Sequence, residues 1–325
     1  MASTTSSTRS ESRFSELFSL SGATGPLVGL VLLCAFLSFA TDSFLTTRNL
    51  LNVMDQITVL GIMAVGMTFV ILIGGIDLAV GSVLALAMMV MGYLANTLGY
   101  PLELSILIAL AVAAMTGVVS GLLITLFSVP AFIATLAMMS IARGLANMIT
   151  DGQQIVGFPA WFSMLAFIRH GGFLTFTVAV MLVVFAAGWF FLRYTSGGRS
   201  LYAIGGNPEV ARLAGINVSF TTVGVYVVSG LLAGLGGIVL AMRLDSVQPT
   251  AGVTYELDTI AAVVIGGTSL SGGQGGIVGT IIGVLIIGVL RNGLNLLGVS
   301  PFTQAVVIGV VIALAVAAEA FKKRA

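Results

Sequence analysis

The sequence predicts an all-α integral membrane protein of about ten transmembrane helices, and three observations carry that prediction. Of its 325 residues 58% are hydrophobic and only 8% charged, against roughly a quarter charged in a water-soluble domain; the mean hydropathy is +1.13. The apolar residues stand in long runs, many near the roughly 20 residues a helix needs to cross hydrocarbon. Those runs lack the period-two alternation of a membrane β-barrel, and an open sheet edge cannot exist in lipid. Ten spans use roughly 200 positions, so one membrane domain fills the chain and leaves two tails and mostly short loops.

The predicted spans cover 26–41, 56–74, 78–97, 104–127, 130–149, 173–192, 219–242, 256–270, 276–293 and 302–319. Two are irregular: the third is interrupted by Gly81 and Ser82, and the eighth is short. Either is expected to be broken or re-entrant, as is tolerated where backbone lines a cavity. Residues 1–25 form a polar, Ser- and Thr-rich tail, 26–320 the membrane domain with a long loop at 194–218, and 321–325 a basic tail. The tail is not expected to be a secretory signal, because the first apolar run starts only near Pro26 and no small-residue cleavage pattern follows.

Orientation follows from Lys and Arg, which accumulate in cytoplasmic loops. With both termini cytoplasmic, Arg9, Arg13, Arg193, Arg199, Arg212, Lys322, Lys323 and Arg324 fall inside and Arg48, Arg169, Arg243 and Arg291 outside. Arg143 lies within the fifth span, where snorkelling to its outer end is expected. Tyr93, Tyr100, Trp161, Phe162, Trp189, Phe190 and Tyr194 fall where interfacial anchors belong.

Several function classes are excluded at this stage. A net charge of +1 gives no electrostatic attraction for nucleic acid. Cys34 is the only cysteine and His170 the only histidine, so no disulfide, metal cluster or catalytic set of nucleophile, base and orienting group can be assembled. No enzyme activity and no bound cofactor are expected. The 41 glycines point to close helix packing: Gly117 with Gly121, Gly230 with Gly234, and Gly279 with Gly283 stand four apart, letting neighbouring backbones approach.

The loop GRSLYAIGGNPEVARLAGI (Gly198 to Ile216) carries the signals of a short helix outside the membrane. Asn207 suits the N-cap, Pro208 the first turn, Glu209 the positive end of the dipole and Gly215 the stop, with Gly205 and Gly206 leading in. Val210 and Leu213 share one face, while Glu209 and Arg212 are polar. Such a helix either docks in a partner's groove or rests on lipid headgroups.

Five segments, in order, resemble one family. They are GMTFVILIGGIDLAVGS (Gly66 to Ser82), PAFIATLAMMSIARGL (Pro130 to Leu145), the loop just quoted, and YELDTIAAVVIGGTSLSGGQGGIVGT (Tyr255 to Thr280), followed by NGLNLLGVS (Asn292 to Ser300). Together, over about residues 44–315, they are similar to the ribose permease family of ABC sugar importers, within the branched-chain amino acid and ribose-type permease superfamily. The resemblance implies a type II-like permease bundle in the bacterial inner membrane, paired with a second copy of itself. It further implies a periplasmic sugar-binding protein and a cytoplasmic ATPase that binds the ATP; the helix Asn207 to Gly215 then looks like the coupling helix seated in that ATPase. The cargo would be a neutral monosaccharide, ribose or a related pentose or hexose, chosen largely by the binding protein. The rivals are an ion-coupled secondary sugar transporter, a channel and a membrane enzyme.

Leu270, Ser271, Gly272, Gly273 and Gln274 spell LSGGQ, the signature of ABC ATPases. A phosphate-binding loop also needs a lysine after its glycines, and Lys322 and Lys323 at the chain's end are the only lysines. LSGGQ is therefore read as a turn between two spans. Asp77, after Gly74 and Gly75, either lines the path or caps the next helix, the cap being favoured. Asn292, Asn295 and Gln304 offer amides suited to sugar hydroxyls, or bonds between helices. These four are the candidate path residues.

Overall fold

The structure is a computed structural model and describes residues 24–322; most of the N-terminal polar tail, with Arg9 and Arg13, and the basic residues Lys323 and Arg324 lie outside the described residues. Helix α1 spans Thr24–Ala40, α2 Thr47–Gln56, α3 Thr58–Leu72 and α4 Val80–Gly92, which continues as a π-turn over Tyr93–Thr97. There follow α5 (Leu102–Leu126), α6 (Ala131–Met148), α7 (Ala160–Phe167), α8 (Phe176–Tyr194), α9 (Ser196–Gly206), α10 (Pro208–Leu213), α11 (Val218–Leu244), α12 (Tyr255–Ile265), α13 (Ile277–Leu296) and α14 (Pro301–Lys322). Two short antiparallel pairs join loops: β1 (Ile155–Val156) with β4 (Ser246–Val247), and β2 (Arg169–His170) with β3 (Leu174–Thr175).

Each predicted apolar run holds a helix, yet the count of about ten spans is not reached on length and composition. Among the described residues, six helices are long and apolar enough to cross a membrane, the third run (Val80–Thr97), α5, α6, α8, α11 and α13; α2 and α3, bent by 44° at their break, add a seventh if taken as one span. Helix α1, α12 and the apolar stretch Pro301–Val311 of α14 are shorter. Hydropathy of a segment does not say how much of it is helix.

Apolarity on every side marks the innermost helices. Almost every residue of α3 and α4 is buried, and α11 lies against both: Gly66 of α3 meets Ser229, and Leu84 of α4 meets Gly237. Helices α5, α6 and α8 keep large side chains such as Leu107, Ile141 and Val183 exposed, the lipid-facing stripe of a membrane bundle. The small-residue pairs act as expected. A Cβ at Gly117 or Gly121 would strike the α11 backbone at Tyr226 or Val223, and one at Gly279 or Gly283 the α12 backbone at Gly266 or Ala262.

Loop contacts sort into two ends. At one end Asp55 pairs with Arg169, Thr175 donates to Asp55 at 3.0 Å, Asn96 donates to the Val156 carbonyl at 2.9 Å and Ser163 bonds Asp245. At the other, segments near 72–75, 202–206 and 271–275 touch. That is the partition alternating crossings require, with the first set on the side read as outer from charge.

The irregular segments differ from expectation in one respect. The third run is a continuous helix with Gly81 and Ser82 in its first turn, and the break falls before it, over residues 73–79. The eighth run is short and follows a non-helical stretch that turns back into the bundle, so that Gly252 lies against Gly81 and Leu84 of α4. Phe162, expected as an interfacial anchor, is fully buried between Phe158 and Trp161.

Candidate functional site

Three polar constructions break the apolar bundle. The first is the hairpin of α9 and α10. Thr195 caps α9 by accepting from the Gly198 amide at 3.0 Å. Asn207 then caps α10, its Oδ1 accepting from the amides of Glu209 at 2.9 Å and Val210 at 3.2 Å, with Pro208 in the first turn. Gly215, at φ +86°, ends it through paired bonds from its own amide to Arg212 and from Ile216 to Ala211, a closure that requires a left-handed residue. On the exposed surface Nη1 of Arg212 donates to both carboxylate oxygens of Glu209, at 2.7 and 2.8 Å. Ala211 is buried, whereas Val210 and Leu213 are exposed at 60% and 89%, so an apolar edge faces away from the bundle.

The second is the break between α3 and α4. Helix α3 ends at Leu72 and the chain turns at Gly74, at φ +77°, with the Gly75 amide bonded to Val70 and the Gly74 amide to Ile71. Asp77 is buried; one oxygen accepts from the Ala79 amide at 2.9 Å and the other from the Ser229 hydroxyl at 2.7 Å. It thus serves the start of α4 and also ties the break to α11. The Thr135 hydroxyl of α6 stands 3.2 Å from the Ile76 carbonyl and 2.9 Å from the Ala131 carbonyl of its own helix, so α6 also lies against this segment.

The third lies towards the outer end, where α12 and α13 meet α2 and α3. A cavity of about 50 Å³ is lined by Gln56, Tyr255, Asp258 and Arg291 among apolar neighbours. Asp258 and Arg291 form an ion pair there, and Nε of Arg291 is buried without a hydrogen-bond partner. Beside it the returning stretch is held by Arg143, whose Nη1 donates to the carbonyls of Pro249 and Ala251, the latter at 2.8 Å. The Arg143 guanidinium is thus engaged by backbone carbonyls of the returning stretch, which offer acceptors without a strand or helix partner of their own.

The remaining candidates are placed as follows. Asn292 is buried and exchanges two 2.9 Å bonds with Asn49, joining α13 to α2. Gln304 donates to Asn295 at 2.8 Å and to the Val299 carbonyl at 2.9 Å, at the junction of α13 and α14. The structure thus brings Gly205 and Gly206 to the break near Gly74 but leaves Asp77, Asn292 and the pair Asn295 and Gln304 at separate points. The sequence alone does not single out Asp258 and Arg291 as a pair. Asp258 and Arg291 are 33 residues apart, and the only available signal was charge inside or near predicted spans, which is costly in lipid.

The bundle, with its six span-length apolar helices and lipid-facing stripes, defines a multi-pass helical membrane protein. Residues 49–316 match the family described as branched-chain amino acid transport system / permease component, and the chain belongs to that family. It is similar to the ribose import permease protein RbsC of Bacillus subtilis, 49% identical over 90% of this chain and 91% of that one, and to RbsC of Escherichia coli K12, 48% identical over 89% and 91%. The fructose import permease protein FrcC of Rhizobium meliloti is 37% identical over 91% of this chain and 85% of its own. No solved structure matches.

Proposed function

We propose that two copies of this chain form the membrane path of an ATP-driven ABC importer for a neutral monosaccharide, ribose first. The chain itself does no chemistry and binds no cofactor: ATP belongs to a separate cytoplasmic ATPase, and a periplasmic binding protein delivers the sugar. In this reading the chain is multi-pass in the bacterial inner membrane with both termini cytoplasmic. Helix α1, α12 and α14 complete about ten crossings, since a short helix followed by extended backbone can still traverse if protein surrounds it. The single observation that carries the proposal is the α9 to α10 hairpin, a capped helix whose apolar edge of Val210 and Leu213 faces away from the bundle, in a chain related over nine-tenths of its length to a sugar import permease. An amphipathic helix offered in this way suits a partner's groove, and we assign Gly205, Gly206, Asn207, Pro208, Glu209, Arg212 and Gly215 to coupling.

On the path, Asn295 and Gln304 offer amides to a passing sugar, while Asp77 and Asn292 hold its walls through Ser229 and Asn49. An ion-coupled carrier would want a buried carboxylate left for the coupling ion. Here Asp258 is committed to Arg291, and Asp77 to Ser229 and the Ala79 amide.

A tagged copy, purified in mild detergent from its native host, is expected to bring down an ABC ATPase. In vesicles, that complex should accumulate ribose only with ATP and binding protein. Accumulation by the chain alone under an ion gradient would overturn the proposal.

A further inference from the structure

The LSGGQ segment, read above as a turn between two spans, is where the α9 to α10 hairpin touches the membrane bundle. Leu72 is the last residue of α3, so its carbonyl lacks an intrahelical donor. The amide of Gly273 supplies one at 2.9 Å. The turn holds its own shape by bonds from the Ser269 amide to Gln274 and from the Gly272 amide to Ser269, both 3.0 Å. Against it lies the last turn of α9: a Cβ at Gly272 would stand 3.0 Å from the Cα of Gly205 and 2.9 Å from the amide of Gly74, and one at Gly273 would stand 3.0 Å from the amide of Gly206. A Cβ at Gly205 would collide with the Leu72 carbonyl and the Gly273 amide. Tyr202, one turn earlier on α9, donates to the Gly275 carbonyl at 2.9 Å. Burial raises the Tyr202 phenol above the usual tyrosine range, against a smaller opposite pull from Arg193, so it remains a donor at neutral pH.

Three stretches far apart in sequence thus meet backbone to backbone, with no side chain between them to absorb displacement. From this contact the covalent route continues through Gly74 and Ile76 to Asp77, whose carboxylate grips Ser229 of α11. Resting on the coupling role assigned above, we infer that Gly205, Gly272, Gly273 and Tyr202 form the transmission joint of the permease. A push on α10 passes along α9, through the glycine contact, into the break between α3 and α4 and on to α11. The glycines are positioning residues: their missing side chains make the joint stiff, since packed interiors transmit strain only where atoms already touch.

The test uses the whole assembly of permease, ATPase and binding protein in vesicles, with three measurements: ATPase retained on the tagged permease, ATPase stimulation by sugar-loaded binding protein, and ATP-driven ribose uptake. Gly205→Ala puts one methyl group into the joint at a helical, unstrained backbone position. It should retain the ATPase but lose stimulation and uptake by about tenfold, within the range typical of coupling between sites. Gly224→Ala, which faces open space, should match the unaltered chain. Wild-type stimulation and uptake in an assembled Gly205→Ala complex would overturn the joint. If that variant does not assemble, Tyr202→Phe decides: it removes one hydrogen bond and keeps the ring, and should lower stimulation by about threefold at full assembly, within the change that loss of one such bond can produce. Unchanged stimulation in Tyr202→Phe would then refute the joint. Absence of any ATPase on the unaltered chain would instead sink the coupling role itself, so the two failures are distinct.

Discussion

Removing Arg291 alone should cost more than removing both partners of the Asp258 and Arg291 pair, and the two single changes should be unequal. The Asp258 side chain is 6% exposed and that of Arg291 37%. Arg291→Met strands a carboxylate with almost no access to water, and breaking a buried pair costs about 3 kcal/mol at the lower end of its range. The lower end applies because Arg291 is partly hydrated. Asp258→Asn leaves a guanidinium that can turn into the neighbouring cavity and keep some hydration, so about 1.5 kcal/mol is expected. The double variant leaves no charge behind and should cost about 1.5 kcal/mol, giving a coupling energy of about 3 kcal/mol. Reversible unfolding in mixed detergent and sodium dodecyl sulfate micelles, followed by circular dichroism, measures all four corners of the cycle. Single costs that add to within about 0.5 kcal/mol, or Asp258→Asn costing more than Arg291→Met, would refute the reasoning.

The Asn49 and Asn292 amides satisfy each other, so Asn292→Ala leaves a buried amide wanting and should cost about 2 kcal/mol, with the double alanine variant costing less than the sum in the same unfolding assay. Gly117→Val drives a branched side chain into the α11 backbone at Tyr226; a loss of about 3 kcal/mol or failure to insert is expected, read as folded protein recovered from membranes. Asn207→Ala removes both capping bonds of α10 and should weaken that helix by about 1 kcal/mol, seen as faster amide hydrogen exchange over 208–213 with bundle stability unchanged. Glu209→Ala with Arg212→Ala removes an exposed pair worth under about 0.5 kcal/mol; thermal stability should hold while uptake separates from ATP hydrolysis, and normal uptake would count against the coupling role.

Where sequence and tertiary structure divide is visible at particular residues. Apolar runs, the Asn207 cap, the Pro208 start, the Gly215 stop and the glycine pairs were legible in order along the chain, because each depends on covalent neighbours or on helix period alone. The length and composition of 58% hydrophobic residues already demanded a helical membrane bundle, since lipid leaves no other way to satisfy backbone groups. What the chain could not disclose on its own is which distant segments meet. The pairing of Asp258 with Arg291, the clasp of Arg143 on the Pro249 and Ala251 carbonyls, and the seating of Gly273 against Leu72 and Gly205 join stretches widely separated in sequence. Hydropathy carries no information about such partners, because burial of an apolar side chain is non-directional; only close packing of the whole bundle selects one contact among the many of equal polarity.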